Sequence, residues 1–280
     1  MINVISKVLL GFALVVIPIS LSSQTTNLIS YNIKYDNTGD TINNWNDRKE
    51  SMVQLIQHYN GDIVGIQEGL HRQVTYLDTA LPGYAYVGVG RDDGKEKGEY
   101  TAILYNTNKF KVLKTNTFWL SETPEKVSVG WDASMERICT YALFENLETK
   151  KQFYVFNTHF DHRGMQARVN SAQLIYKKIN EINSSELPVV LMGDLNLTPD
   201  TEPIQYLKKN LTDGMDISKN PFYGPIGTFS GFNQDRMLTD RIDYIFVKDI
   251  EILSYTHIDD RMGNNKHISD HLPVLVTFAD

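Results

Sequence analysis

The sequence predicts an α/β domain in which two similar mixed β-sheets pack face to face with helices outside. Three observations carry this expectation. Apolar runs of strand length alternate with helical patterns along the chain. The order strand, polar residue, helix, apolar strand, acidic residue occurs twice, from Asn32 to Glu68 and from His159 to Asp194, over 36 and 35 positions. No linker or low-complexity stretch divides the chain between these copies. A sheet with apolar residues on both faces needs cover on both, so paired sheets with outer helices satisfy a pseudo-two-fold duplication.

The elements follow in order. Asn27 to Tyr35 reads as a strand with Asn32 near its end, and Asp47 as the cap of a helix carrying Met52, Ile56 and Tyr59. Asn60-Gly61 stops that helix. Asp62 to Gln67 is a short apolar strand with Glu68 at its exit, and Leu70 to Leu81 is a second helix ended by Pro82-Gly83. Strands are expected at Tyr84 to Val89, Tyr100 to Tyr105, Val112 to Leu120 and Arg137 to Glu145, with a charged loop from Arg91 to Gly98. The second copy opens with the strand Phe153 to Thr158 and His159. Ala172, Ile175, Ile179 and Ile182 then mark a helix face, and Pro188 to Met192 a buried strand before Gly193-Asp194-Leu195-Asn196. A helix begins at Thr198-Pro199-Asp200, and Asn220 to Asp240 is a long loop. Ile242 to Val247 is a strand carrying Asp243, an irregular segment follows, and Leu272 to Phe278 closes the chain as a buried strand.

Residues 1–23 stand apart. Lys7 is the only charged side chain before a 12-residue apolar run, Val8 to Ile19, and Ser20-Leu21-Ser22-Ser23 has the small residues of a cleavage site. This pattern predicts a secretory signal peptide, too short to span a bilayer. The expected mature domain is 24–280, secreted or periplasmic, without a stable membrane anchor or an obligate protein partner. Cys139 is the only cysteine, so no intramolecular disulfide forms. A net charge of −7 gives little non-specific attraction to nucleic acid or anionic lipid.

The chemistry gathers at strand ends. Asn32, Glu68, His159, Asp194 with Asn196, and Asp270 with His271 each end or begin an apolar strand, and Asp243 lies within a sixth. One acid after a strand is usually a solvated loop residue or a helix cap. Several at one rim are different, because buried like charges require a cation or a shared proton. Hard oxygen donors from distant strands, without cysteine, suit Mg²⁺ or Mn²⁺. Arg48, Glu99, Arg137, His162 and Arg168 are further candidates for substrate contact. Helix capping, surface ion pairs and solvated loops are the plainer readings of these five.

The strings Tyr31-Asn32-Ile33, Ile66-Gln67-Glu68, Asn157-Thr158-His159, Gly193-Asp194-Leu195-Asn196, Arg241-Ile242-Asp243-Tyr244 and Ser269-Asp270-His271-Leu272-Pro273 resemble the endonuclease/exonuclease/phosphatase superfamily, in order and over nearly all of residues 27–278. The nearest likeness is to secreted bacterial members, through Asn157-Thr158-His159-Phe160-Asp161-His162 and Gly227-Thr228-Phe229. The resemblance implies a four-layer α/β sandwich and metal-dependent cleavage of a phosphomonoester or phosphodiester. It implies Glu68 as the principal metal ligand with Asn32 and Asp270 nearby, and Asp194 held by Asn196 beside the attacking water. His159 and His271 would act on the phosphoryl group, with Asp243 orienting His271. Whether Asp194 or His271 takes the water's proton stays open at this point, as does the number of metals. An extracellular nuclease is the alternative substrate reading. A non-catalytic binding module would be expected to lose Glu68, Asp194 or His271, and a glycan hydrolase would leave the histidines and Asp243 without a role.

Overall fold

The computed structural model describes residues 24–279. The predicted signal peptide lies outside them. Fourteen strands and four α-helices are defined in this span. In chain order they are β1 (Thr25–Asn32), α1 (Trp45–His58), β2 (Ile63–Gln67), β3 (Gly69–Leu70), α2 (His71–Ala80), β4 (Tyr84–Val87), β5 (Glu99–Tyr100), β6 (Ile103–Asn106), β7 (Phe110–Trp119) and β8 (Ile138–Asn146). The second half holds β9 (Gln152–His159), α3 (Met165–Ile182), β10 (Val189–Asp194), α4 (Glu202–Asn210), β11 (Thr212–Asp213), β12 (Asp243–Lys248), β13 (Ile252–His257) and β14 (Val274–Ala279). Among the described residues no helix is long and apolar enough to cross a membrane.

Two six-stranded sheets form, ordered β13-β14-β1-β2-β6-β4 and β7-β8-β9-β10-β12-β11. The orders match strand for strand. In each, one parallel pair (β1–β2, β9–β10) sits among antiparallel neighbours. The duplication is therefore real in topology, with one feature the sequence reading did not foresee. The last two strands of each half complete the sheet of the other half, so neither sheet is built from one copy alone.

Alternation along the strands sorts side chains between layers. In β10, Val190 and Met192 pack between the sheets, while Val189 and Leu191 face α3 and α4. In β1, Leu28 lies between the sheets and Ile29 under α1. Both faces are covered, which is why these strands read as continuous apolar runs. Each fully buried side chain of this size contributes about 1.5–3 kcal/mol. Gly65 marks a close approach of the sheets: a Cβ there would lie 2.8 Å from Met192 Sδ.

Several boundaries differ from expectation for local reasons. Asn44, not Asp47, caps α1, accepting the Asp47 N–H at 3.3 Å, and Asp47 sits in the first turn. The helix expected from Thr198 starts at Glu202, because Thr198 to Thr201 closes a turn and Pro203 sits in the first helical turn, where no N–H is needed. The strand expected over Tyr100 to Tyr105 is two pieces, because Tyr100 pairs with Gly69 in the short β3 whereas Ile103 pairs with Gly65 in β2. The irregular segment after Val247 contains β13, an edge strand with a register shift between Ile252 and Ser254 that blurs its alternation.

Candidate active site

The rim of the sandwich collects the predicted polar residues. Parallel pairing sets Asp194 level with His159, and antiparallel pairing sets Asp243 opposite Asp194. β1 ends at Asn32, opposite Gln67, and Glu68 follows. Glu68 and Asn196 both leave their strands in the left-handed region, with φ of 62° and 51°. Such turns are held by their surroundings and re-aim a side chain out of the pleat. Gly193 lets two strands meet closely: a Cβ there would lie 1.9 Å from the Thr158 carbonyl oxygen. Behind the rim, Gln67 Nε2 donates to Asn157 Oδ1 at 2.7 Å, tying the sheets together just beneath Glu68 and His159.

Asn32 Nδ2 donates to Glu68 Oε1 at 3.0 Å and Asp194 Oδ2 at 2.9 Å, joining the two sheets. Asn32 was expected beside the metal as an oxygen donor. Its Oδ1 instead accepts the Lys34 N–H at 3.0 Å, so it turns its nitrogen to the carboxylates. Asn196 N–H donates to Asp194 Oδ1 at 2.9 Å, and Asn196 Nδ2 lies 3.1 Å from His159 Nε2. His271 Nδ1 donates to Asp243 Oδ2 at 2.8 Å, which leaves Nε2 facing Asp194 Oδ2 at 3.7 Å. The Phe229 ring packs on the His271 imidazole, centroids 5.0 Å apart.

Charges in the cleft are strongly displaced. Burial disfavours a charged His271, but Asp243, Asp194 and Asp270 outweigh it and hold its pKa up at about 10. Burial pushes Asp194 up to about 7, with His271 opposing and Asp243 adding to the rise. Burial, together with the nearby Arg137 and Arg91 guanidinium groups, keeps His159 well below the usual histidine range. Glu68 is buried, yet Lys34 and His271 hold its pKa below the ordinary value. The result is an imidazolium at His271, a neutral His159, and an acid at Asp194 poised near neutrality.

Ligand atoms of Glu68, Asp194 and His271 come within 4.8 Å of one another. The fit to a divalent cation rests on the carboxylates. His271 is charged and has its Nδ1 committed to Asp243, so it is a poor ligand. Glu68 and Asp270 both reach the Lys34 ammonium, at 3.3 and 3.5 Å, so these oxygens already converge on a positive charge. Hard oxygen donors of this kind suit a metal that keeps several waters.

The cleft has a volume of about 440 Å³ and includes Glu68, His159, Asp194, Asn196, Asp270 and His271 in its walls. Glu99, Arg137 and His162 also line it. Glu99 is held by Arg91 through two bonds of 2.7 and 3.0 Å, and its Oε2 lies 3.9 Å from His159 Nδ1. Arg137 is buried, with Nη2 3.0 Å from His162 Nδ1 and no partner for Nη1. Two expected contacts are elsewhere. Arg48 is 1% exposed and donates to the carbonyls of Asn43, Ile33, Ile268 and Lys34, so it braces the rim from behind instead of meeting substrate. Arg168 Nη1 donates to the Asn196 carbonyl at 3.2 Å and supports that loop. Sequence reasoning missed Lys34, Tyr35 and Met135 in the cleft wall. Lys34, two residues beyond Asn32, carried no pattern signal because its left-handed turn, φ 55°, is set by tertiary contacts.

Comparison with known proteins agrees with this fold. A solved Bacteroides vulgatus endonuclease/exonuclease/phosphatase is 39% identical, with a TM-score of 0.86, covering 91% of this chain and 98% of that one. A mannosyl-6-phosphatase from Bacteroides thetaiotaomicron is 36% identical with a TM-score of 0.87, covering 91% and 100%. Protein L388 of Acanthamoeba polyphaga mimivirus is 29% identical over 85% of this chain and 93% of its own length. The CCR4-Not complex 3'-5'-exoribonuclease subunit Ccr4 of Mycosarcoma maydis is 22% identical over 80% of this chain, which spans 44% of that protein. The sequence pattern of the Endonuclease/Exonuclease/phosphatase family matches residues 29–271, and the chain belongs to that family.

Proposed function

We propose that this protein is a Mg²⁺- or Mn²⁺-dependent hydrolase of small phosphate esters, with a sugar phosphomonoester as the preferred class. The observation that carries the reading is the convergence of Glu68, Asp194 and His271 within 4.8 Å, at a rim made by both sheets. The 39% and 36% identical Bacteroides structures, one of them a mannosyl-6-phosphatase, support the phosphatase side. A cleft of about 440 Å³ on a chain of net charge −7 supports a small ester over long nucleic acid.

A divalent ion held by Glu68, with Asp270 beside it, would polarise a phosphoryl oxygen and offset the charge that builds on it. The remaining steps belong to side chains. Asp194 accepts a proton from the attacking water, its orientation fixed by the Asn196 N–H and Asn32 Nδ2. His271, kept charged by Asp243, is a donor to the phosphoryl oxygens and not the base. Water oxygen bonds to phosphorus, the ester P–O bond breaks opposite it, and the departing alcohol oxygen takes a proton from solvent. Arg137, with its unpartnered Nη1, and His162 also line the cleft and offer basic groups to a phosphate.

A panel of sugar phosphates, nucleotides, inositol phosphates, p-nitrophenyl mono- and diesters, RNA and DNA tests the reading. Hydrolysis of monoesters that EDTA abolishes and Mg²⁺ or Mn²⁺ restores is expected; activity indifferent to chelation would refute the metal. Preference for RNA or DNA would move the assignment to a nuclease, the class named for the Ccr4 relative. We also propose export through residues 1–23. N-terminal sequencing of protein from culture should begin near Ser23 or Gln24, and an intact Met1 would refute it.

A further inference from the structure

Lys34 Nζ lies 3.3 Å from Glu68 Oε2 and 3.5 Å from Asp270 Oδ2. These are the two carboxylates given above to the divalent ion. The lysine side chain is 31% exposed, so it has room to leave them. The backbone that carries it is fixed independently. Lys34 N–H donates to Asn32 Oδ1 at 3.0 Å, and the Lys34 carbonyl accepts from Gln73 Nε2 at 3.0 Å and Arg48 Nη2 at 3.2 Å. These bonds hold a left-handed φ of 55°, which a lysine adopts only when its surroundings impose it. Arg48, one of the largest fully buried side chains, thereby has a role at the site after all: it sets the turn that presents the ammonium.

Buried carboxylates need a counter-charge. Lysine supplies one positive charge and a divalent ion two, and the two cations repel each other strongly if both stay on the same oxygens. We infer that Lys34 is a tethered cation that neutralises Glu68 and Asp270 in the metal-free protein. The divalent ion displaces it, and the released ammonium then serves the phosphoryl oxygens of the substrate. The inference rests on the metal-dependent reading above.

Mn²⁺ binding to the purified protein, followed by calorimetric titration and by thermal unfolding with and without the ion, tests it without any activity measurement. Lys34→Gln and the near-isosteric Lys34→Met are expected to bind Mn²⁺ about tenfold more tightly, as removing one positive charge a few Å from a divalent ion predicts in a largely hydrated site. Both variants should melt lower than wild type without metal and gain more in Tm on adding it. Unchanged or weaker Mn²⁺ binding in both, or an equal fall in Tm with and without the ion, would overturn the tethered-cation role. A wild-type protein that binds no Mn²⁺ would overturn the metal reading itself, and this inference with it.

Discussion

Asp194→Asn should make the metal-free protein more stable while removing its activity. Asp194 is buried, and its pKa in the fold is about 7 against an ordinary 3.8. Below pH 3.8 the carboxyl is neutral in both folded and unfolded chains. Between 3.8 and 7 the unfolded chain gives up a proton that the fold retains. Stability therefore falls as pH rises through that window and is level above it. At about 1.4 kcal/mol per pH unit, the gap amounts to about 4 kcal/mol. Asparagine removes that penalty, which is already net of the attraction of His271, but sets an amide against Asn32 Nδ2, now 2.9 Å from the carboxylate. That loss returns about 2 kcal/mol. A net gain of about 2 kcal/mol at pH 8 is expected, shrinking to nothing or reversing below pH 4. Urea unfolding of both proteins in EDTA across pH 4–8 measures it. Turnover in saturating Mn²⁺ should fall at least ~10²-fold. A variant less stable than wild type at pH 8, or one with the same pH slope, would refute the claim that Asp194 is held ionised at a cost.

Asp243→Asn should lower turnover by ~10²-fold or more, since His271 Nδ1 loses its anionic acceptor at 2.8 Å. His271 is raised in the fold to about 10 from 6.5, so its contribution to stability is complete below pH 6.5 and is lost as pH rises through 10. Urea unfolding of metal-free Asp243→Asn between those limits should show a flatter decline than wild type. Arg48→Ala should cost about 3 kcal/mol or more, because four carbonyls lose the buried guanidinium that serves them. A change in KM at unaltered stability would instead return Arg48 to the substrate.

The legible parts of this site were those that a strand end announces. Glu68, His159 and Asp194 each follow an apolar run, and an acid or imidazole at the exit of a buried strand is conspicuous. Glu99 and Arg137 were weaker candidates, since a charged residue at a loop-to-strand junction has ordinary uses. Arg48 was misread because helix position alone does not reveal whether a guanidinium faces solvent or a set of carbonyls. Gln67 and Asn157 are polar residues inside apolar strands, and their meaning depends on which strands face each other across the sandwich. The same limit hid β13 and the exchange of strands between halves: alternation reports which face is buried, not which sheet a strand joins.

That exchange has a chemical consequence. β14 belongs to the second copy but pairs with β1, so Asp270 and His271 arrive beside Asn32 and Glu68. β8 belongs to the first copy but pairs with β9, so Arg137 arrives beside His159. Had each half kept its own last strands, the Asp270–His271 pair would lie on the sheet of Asp194 and Asp243, and Glu68 would lack its second carboxylate. The sheets are further joined at the rim by Asn32 Nδ2, which bonds Glu68 on its own sheet and Asp194 on the other. Two carboxylates held 3.0 and 2.9 Å from one amide cannot move apart without breaking one of these hydrogen bonds. The separation between Glu68 and Asp194 is therefore tied to the packing of the two sheets, and a change in sheet-to-sheet contact as far back as Gly65 and Met192 acts on that distance.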